Sequence, residues 1–440
     1  MLIVGNIVGI GIFTTTGYIS NFVNAASTML LLWILGGLIS FFGAVTYSEL
    51  STRFPKAGGD FHYLSKAFHP LMGFLFGWSA LFVTYTGSIA VIAVGFGYYF
   101  LNFFPPQIQQ LSWTIPEFQL ELSLLKFIAI AIAFIFSYIN VRGVKLGANW
   151  QKVFTIGSIL TLIIYIIIGF ISSKGNWLNF QSNGTINFSL NSISNMGEAL
   201  IGIYFTYSGW TILAYVAGEI ENPRRNIPIA SFVGVTTVVL LYFFMNLTYI
   251  YALPVHEMSN AVDIGFQALR VLWDQGFSYF FAIIILIAII STLNSTILSG
   301  SRIYYAMSHQ GLFFKRYGLL HEKYETPANA LWIQFFWASI LIISGSFNQL
   351  LTYTVFVMVA FGLLSAAGLV FLRSKNASLN QPYLAWGYPV TTFIYMGFML
   401  FILINTLLKQ PFETISGIIL VGIGLPFYFY FSRQQLRKNT

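Results

Sequence analysis

The stretch VGNIVGIGIF (4–13) places Gly5, Gly9 and Gly11 inside an apolar run long enough to be a membrane helix. Glycine costs roughly 1 kcal/mol against alanine in a helix interior, and a lone one there usually serves as a notch for close packing. A second interruption shifts the balance. The segment FTYSGWTILAYVAGEIENPRRNIP (205–228) carries Ser208-Gly209 in the middle of another apolar run. A broken helix exposes N–H and C=O groups that hydrocarbon cannot satisfy, so it persists only where it lines a cavity or meets a ligand. The half-helix starting near Ile12 offers free N–H groups and a positive dipole end, which suits a carboxylate. The half-helix ending near Tyr207 offers carbonyls and a negative end, which suits an ammonium. Side by side, the two ends form a receptor for a zwitterion, the invariant part of an α-amino acid.

The elements that must position these ends follow from composition. Of 440 residues, 57% are hydrophobic and only 8% charged, against about 25% charged in soluble domains. Runs of about 20 apolar residues, the length that crosses hydrocarbon as a helix, recur throughout. The expected class is an all-α polytopic membrane protein. A β-barrel is excluded, because its segments would alternate at period two. Polar punctuation marks twelve spans near 1–22, 28–52, 70–102, 122–141, 150–172, 195–220, 227–252, 276–306, 328–345, 347–373, 386–408 and 412–432. No cleavable leader is expected, since residues 1–22 lack a basic start and a small-residue cleavage pattern. Eight residues precede Gly9, about 12 Å of helix, so the native start is expected to lie upstream.

The connections alternate between two sides. One side holds 17 of the 21 Lys and Arg residues, and the other holds Lys126, Lys174, Arg270 and Lys409. The positive-inside rule puts the first side, and both termini, in the cytoplasm. The net charge of +8 is scattered over short loops, so no nucleic-acid partner is expected. Zero cysteines exclude disulfides, thiolate metal sites and thiol catalysis.

The interrupted spans are the first and the sixth. They open successive five-helix sets, 1–172 and 195–373, leaving 386–432 as two peripheral helices. Five helices per set forces the second set to enter the membrane inverted. Matched interruptions in inverted halves point to a transporter's midplane binding site.

At these residues the chain resembles the amino acid–polyamine–organocation superfamily, most closely its L-type amino-acid transporter branch. VGNIVGIGIF resembles the family's first-helix Gly-x-Gly-Ile-Phe signature. FPKAGGDFHYL (54–64) resembles its loop after helix two, and NVRGVKLGANWQKVF (140–154) its segment between helices four and five. FTYSGW with GEIENPRRNIP resembles its sixth helix and following loop, and NSTILSGSRIYYAMSHQGLF (294–313) its eighth. The resemblance implies two inverted five-helix repeats with broken helices one and six that move around a central site. By position it implies that Gly9, Ile10 and Gly11 face a substrate carboxylate, with Ile12 in the same first turn. It implies carbonyls from Phe205, Thr206 and Ser208 for the ammonium beside Gly209, with Phe205 also the outer aromatic gate. Two departures stand out. Ile10 replaces a common Ser or Thr, and Ser158 occupies the position where many members carry the Lys that substitutes for sodium. Ser158 with Ser291, Thr292 or Ser295 is a candidate sodium site, with small-residue packing as the plainer reading. Animal members bond a heavy chain through cysteine. This chain has none, so a disulfide-linked subunit is excluded and a monomer in the bilayer is expected.

Val83, Thr84 and Ser88 on helix three, Thr211 on helix six and Phe356 on helix ten are candidate walls of the side-chain pocket, each equally readable as bundle packing. Glu49, Asp60, Glu219, Glu221, Glu322 and Glu325 are expected at or near the cytoplasmic face, the other acidic residues toward the outer one, with Glu198 closest to the outer vestibule. With no carboxylate at the midplane, neutral substrates are favoured and a central proton relay is not. Glu219 is expected to pair with Arg53 at an inner gate. An enzyme would cluster chemistry-bearing side chains, whereas the five histidines are dispersed and no metal or cofactor spacing appears. A channel would want a continuous polar lining. The reading that remains is a neutral amino-acid transporter by exchange or facilitation. A sodium- or proton-coupled symporter, an amine or polyamine carrier, and a sensor without flux stay open as alternatives.

Overall fold

Long apolar runs leave the backbone no partner but itself, and the chain is helical almost throughout. A computed structural model describes residues 2–55, 58–115, 120–143, 148–181, 189–375 and 383–439. Helices α1 (Leu2–Ile7) and α2 (Ile10–Ile19) are separated by Val8 and Gly9. Then come α3 (Ala26–Arg53), the short α4 (Gly59–Ala67), α5 (Pro70–Ser79), a π-helical turn (Ala80–Thr84) and α6 (Tyr85–Leu101). A turn of helix, α7 (Pro106–Gln109), precedes a hairpin of β1 (Ser112–Ile115) and β2 (Leu120–Ser123), antiparallel with Ser112 opposite Ser123. Next are α8 (Leu124–Val141), α9 (Ala148–Ile171) and α10 (Leu190–Tyr207). A 3-10 turn (Ser208–Thr211) joins α10 to α11 (Ile212–Val216). The remainder is α12 (Pro223–Ala252), α13 (Ile264–Leu272), α14 (Gln275–His309), α15 (Ala328–Ser344), α16 (Phe347–Lys375), α17 (Val390–Lys409), α18 (Pro411–Gly422) and α19 (Gly424–Asn439).

Among the described residues, nine helices are long and apolar enough to cross a membrane. Three shorter apolar helices, Ile10–Ile19, Thr155–Ile171 and Ala328–Ser344, fall where the remaining expected spans lie. Helix starts follow local chemistry. Asp274 caps α14 by accepting from the Phe277 N–H at 2.7 Å, and His69 caps α5 by accepting from Leu71 at 3.2 Å. Pro70 and Pro223 occupy first-turn positions, where the missing N–H costs nothing. The outward faces are apolar. Phe232, Leu240, Phe280, Ile340, Ile404 and Ile419 are all more than half exposed to the surroundings, as lipid contact requires. Toward the centre, Trp33, Tyr207 and Tyr242 meet edge to face or tilted, with ring centroids 5.2–5.8 Å apart, tying α3, α10 and α12 together.

Loops expected on one side of the membrane touch others expected on that side. Arg142 lies over the rings of Tyr138 and Tyr324, and Thr326 donates to the Val141 carbonyl at 2.7 Å. On the opposite side, Lys126 donates to the Ile343 carbonyl at 2.7 Å and Lys174 to that of Trp273.

Glu49 at the end of α3 is fully buried and accepts from four donors. Arg53 bonds it at 3.0 Å, Arg373 of α16 reaches it with Nε at 2.9 Å and with Nη2, and the Ala385 N–H lies at 2.7 Å. The Arg373 guanidinium also stacks 3.7 Å from the Tyr388 ring centroid. The pairing expected between Arg53 and Glu219 is therefore replaced on the arginine side by an i, i+4 bond along α3; the Glu219 side chain lies outside the described residues. Removing one partner of a buried ion pair leaves an uncompensated charge. Arg373→Gln is expected to lower stability by about 3 kcal/mol, read as a fall in melting temperature of the detergent-solubilised protein, while Arg433→Gln on exposed α19 leaves it unchanged.

Candidate functional site

The break in the first span is real and lies one residue earlier than its glycine pair suggests. The helix stops at Ile7, Gly9 adopts extended backbone, and α2 restarts at Ile10 with no side-chain cap and no acidic residue in its first turn. Tyrosines of α12 reach carbonyls on both sides of the break. Tyr242 donates to the Ile7 carbonyl at 2.8 Å and Tyr249 to that of Ile12 at 3.2 Å. Behind α2, Thr14 and Thr15 donate to the Ile10 and Gly11 carbonyls, and Thr16 donates to Asn246 Oδ1 at 2.9 Å. The uncapped N–H end of α2 is left facing inward.

The sixth span is interrupted differently. Ser208 to Thr211 tightens into a 3-10 turn instead of unwinding, and a further 3-10 turn, Ala217–Glu219, ends it. The tightening redirects carbonyls. The Phe205 carbonyl accepts from both the N–H and, at 2.8 Å, the hydroxyl of Ser208, so both of its lone pairs are occupied. The Gly209 carbonyl accepts from Ile212 N–H and from Asn6 Nδ2 at 2.9 Å. Asn6 thus ties the two interruptions directly, and Thr15 with Thr206 ties them again through a 2.7 Å hydroxyl pair. Asn6 was legible in principle, as the one amide in the apolar run 1–20.

The glycines also serve as close-packing points. A Cβ on Gly11 would lie 2.7 Å from Thr206 Oγ1 and 2.9 Å from its Cα. One on Gly9 would lie 2.5 Å from Thr292 Oγ1, and one on Gly209 2.3 Å from the Asn6 carbonyl oxygen. Notch and break coincide: the approach that needs glycine is the one that sets the two helix ends together.

Between them lies a cavity of about 150 Å³, roughly ten times the least volume that admits one water. Gly9, Ile10, Gly11, Phe205, Thr206, Ser208 and Gly209 line it, as do Thr84, Ser88, Thr211 and Thr292. Ile12, Val83 and Phe356 do not. Ile12 and Val83 are fully buried among neighbours, and Phe356 turns toward Gly417 of α18. Helix ten instead offers Met358, Phe361 and Gly362, two to six residues further on, and Tyr85, Tyr204, Tyr215 and Thr296 complete the wall. Of the candidate sodium ligands, Thr292 faces the cavity, its hydroxyl donating to the Ala288 carbonyl at 3.1 Å. Ser158, Ser291 and Ser295 are not among the lining residues; Ser158 is 9% exposed.

The π-helical turn beside Thr84 carries a signal the sequence did not show. Side chains from three helices donate to its carbonyls: Trp337 and Tyr353 to Phe82 at 2.8 and 2.6 Å, and Tyr304 to Ala80 at 3.0 Å. Such turns concentrate at functional sites, and this one swings Thr84, Tyr85 and Ser88 to the cavity wall.

On the side expected to face outward, the bundle around α2 is tightly packed. All ten residues of α2 are buried. The segment before α13 is bonded to it through Asn260 N–H to the Gly17 carbonyl, and Tyr99 donates to the Phe13 carbonyl at 2.7 Å while accepting from Gly265 N–H. Glu198, expected near this vestibule, is buried away from the cavity and held by Asn405 at 3.1 Å and by Gln410.

One acidic residue expected at or near the cytoplasmic face also forms part of the cavity wall. Asp60 sits in the first turn of α4 but is buried and lines the cavity, the one charged side chain among its described lining residues. It accepts from Tyr47 at 2.6 Å and Ser365 at 2.5 Å on Oδ1, and from Tyr215 at 3.0 Å on Oδ2. Burial pushes its carboxyl above the usual range, opposed by the three hydroxyl donors. Its position in FPKAGGDF reads as a loop charge because the fold of that loop back into the bundle depends on Gly58 and Gly59, both at positive φ.

Comparison with known proteins identifies the family. Residues 1–427 match the family model for amino acid permeases. The large neutral amino acids transporter small subunit 2 of Mus musculus is 30% identical over 97% of this chain and 78% of its own length. The Asc-type amino acid transporter 1 of the same species is 27% identical, covering 97% of this chain and 79% of the mouse protein. The b(0,+)-type amino acid transporter 1 of Homo sapiens is 28% identical over 98% of this chain and 86% of the human protein. With paired helix interruptions around one cavity and a family match over nearly its whole length, the chain belongs to the amino acid permease family.

Proposed function

We propose that the protein carries neutral L-amino acids across the membrane by alternating access, as an exchanger or facilitator. The observation that carries this reading is that the uncapped amino end of α2 and the 3-10 turn after α10 line one cavity, held together by Asn6 of α1 on the Gly209 carbonyl and by Thr15 of α2 on Thr206 of α10. Gly9, Ile10 and Gly11 present N–H groups to the carboxylate, and the Ser208–Thr211 turn presents carbonyls to the ammonium. Because the Phe205 carbonyl is doubly occupied, an ammonium there displaces the Ser208 hydroxyl. Phe205 covers the bound molecule, and Thr84, Ser88, Thr211, Met358 and Phe361 meet its side chain. The names of the relatives support the substrate class.

In this reading 1–172 and 195–373 are inverted repeats, 386–432 is peripheral, and both termini are cytoplasmic, as the distribution of Lys and Arg favours. The mouse relative is by name a small subunit, which favours assembly with a second subunit over the monomer expected from sequence. The 440 residues hold no cysteine, so such a partner would be held without a disulfide to them.

The test is uptake of labelled amino acids into proteoliposomes. Saturable uptake of neutral amino acids, accelerated by unlabelled amino acid inside and indifferent to imposed gradients, is expected. Uptake that needs a sodium or proton gradient makes the protein a symporter, with Ser158, Ser291, Thr292 and Ser295 the first sodium ligands to vary. Preference for amines lacking a carboxylate removes α2 from the site.

Two substitutions probe the poles separately. Gly11→Ala drives a methyl into the Thr206 backbone, parts the helix ends, and is expected to cut uptake at least tenfold in protein that remains monodisperse. Ser208→Ala keeps the carbonyl and removes only the competing hydroxyl, so its KM is expected within about threefold of the parent. A tenfold loss on Ser208→Ala would make that hydroxyl a ligand in its own right.

A further inference from the structure

The central site leaves Asp60 without a role. Its carboxylate is buried, lines the cavity and has no cationic partner among the described residues; all three of its bonds come from neutral hydroxyls. These donors sit on different elements. Ser365 belongs to α16 and Tyr47 to α3, while Tyr215 belongs to α11, the short half-helix beyond the interruption of the sixth span. Asp60 therefore joins α11 to α16 through one carboxylate, Ser365 on Oδ1 and Tyr215 on Oδ2. Beside it, Tyr63 of α4 lies 3.4 Å from the Ala214 carbonyl of α11. The approach is engineered by glycine: a Cβ on Gly59 would come within 2.6 Å of the Tyr215 ring, and Gly59 has φ +49°.

We propose that Asp60 is a positioning residue for transport, the latch that holds α11 across the inner end of the cavity until the site opens on that side. The proposal rests on the alternating-access reading, in which the halves of helices one and six move. A carboxylate suits the task because it is solvated in both states. Closed, three hydroxyls donate to it in a dry site, where charge-assisted bonds are strong. Open, Tyr215 departs with α11 and water takes its place on Oδ2. A neutral acceptor would hold less tightly when closed and gain less from water when open.

The absence of cysteine makes the test direct. Ser88→Cys places one thiol on the cavity wall, and its rate of reaction with a membrane-impermeant thiol reagent is measured from each face of sealed vesicles. A C-terminal tag identifies the faces. Tyr215→Phe removes only the hydroxyl that reaches Asp60 and keeps the ring; Ser365→Ala removes the other tether. Each is expected to raise labelling roughly tenfold from the tagged face and to lower it from the opposite one. Asp60→Asn is expected to do the same where it folds. Unchanged labelling in folded Tyr215→Phe and Ser365→Ala protein overturns the latch, as does faster labelling from the untagged face. The underlying transport reading fails separately, if no amino acid protects the thiol in the parent Ser88→Cys protein.

Discussion

Peptide groups taken out of a helix inside a bilayer must find partners in the protein, and the architecture around the first span is organised by that requirement. Two residues, Val8 and Gly9, leave the helical path. The Ile7 carbonyl this frees is met by Tyr242 of α12, and Tyr249 of the same helix reaches the Ile12 carbonyl within α2. The N–H groups at the start of α2 receive no side-chain cap. The asymmetry has a physical meaning. Hydrocarbon would not tolerate uncapped donors, so their persistence requires that they face a polar cavity, and the residues carrying them line one. What the fold leaves unsatisfied is the part that a carboxylate can complete.

The same economy appears in the glycines. Read singly, Gly9 and Gly11 are either packing notches or helix breakers. The structure makes them both, since the space denied to a Cβ is occupied by Thr292 and Thr206, and it is this approach that brings α2 within reach of the sixth span. In the proposed function, affinity for a zwitterion depends on two helix ends whose separation is fixed by threonine side chains and by the Asn6 amide. Small volume changes at these contacts move the poles without touching the ligand.

Much of this was legible in the residues. The membrane class, the paired interruptions and the family resemblance all follow from composition, from two short motifs and from their order. Eleven of the residues named in advance for substrate, side-chain pocket or ion line the cavity. The failures have identifiable causes. Val83 and Phe356 were misplaced because helical periodicity fixes a face only when the helix is regular; a π-helical turn re-phases the third span at Ala80–Thr84, and in the tenth the cavity face begins two residues later. The sixth span was expected to open at Ser208-Gly209, yet both residues accept a 3-10 turn, which no local signal distinguishes from an unwound break. Asp60 was assigned to a loop because polar punctuation locates the ends of spans and is blind to a connection that folds back inward.

That inward fold gives the two ends of the cavity different chemistry. The outer end is closed by packing and backbone contact: Gly17 of α2 lies so close to Ala261 that a Cβ would meet its carbonyl oxygen at 2.2 Å, and Tyr99 and Tyr165 pin Gly265 from two sides. The inner end is held by hydroxyls on a carboxylate. Close-packed surfaces separate with loss of dispersion and apolar burial, and water offers them little in return. A carboxylate, by contrast, trades hydroxyls for water at small net difference. In the proposed latch, the closure at Asp60 is therefore the softer of the two, and its strength is set by one charge. If Asp60 is the latch proposed above, a neutral, dipolar guest carries no net charge past it, so the latch is not electrostatically captured by its cargo. A guest with an extra ammonium would be held at that carboxylate, and the same residue that times opening would then oppose release. Under that proposal, selection for neutral cargo is a requirement of the gate at Asp60 as much as of the pocket.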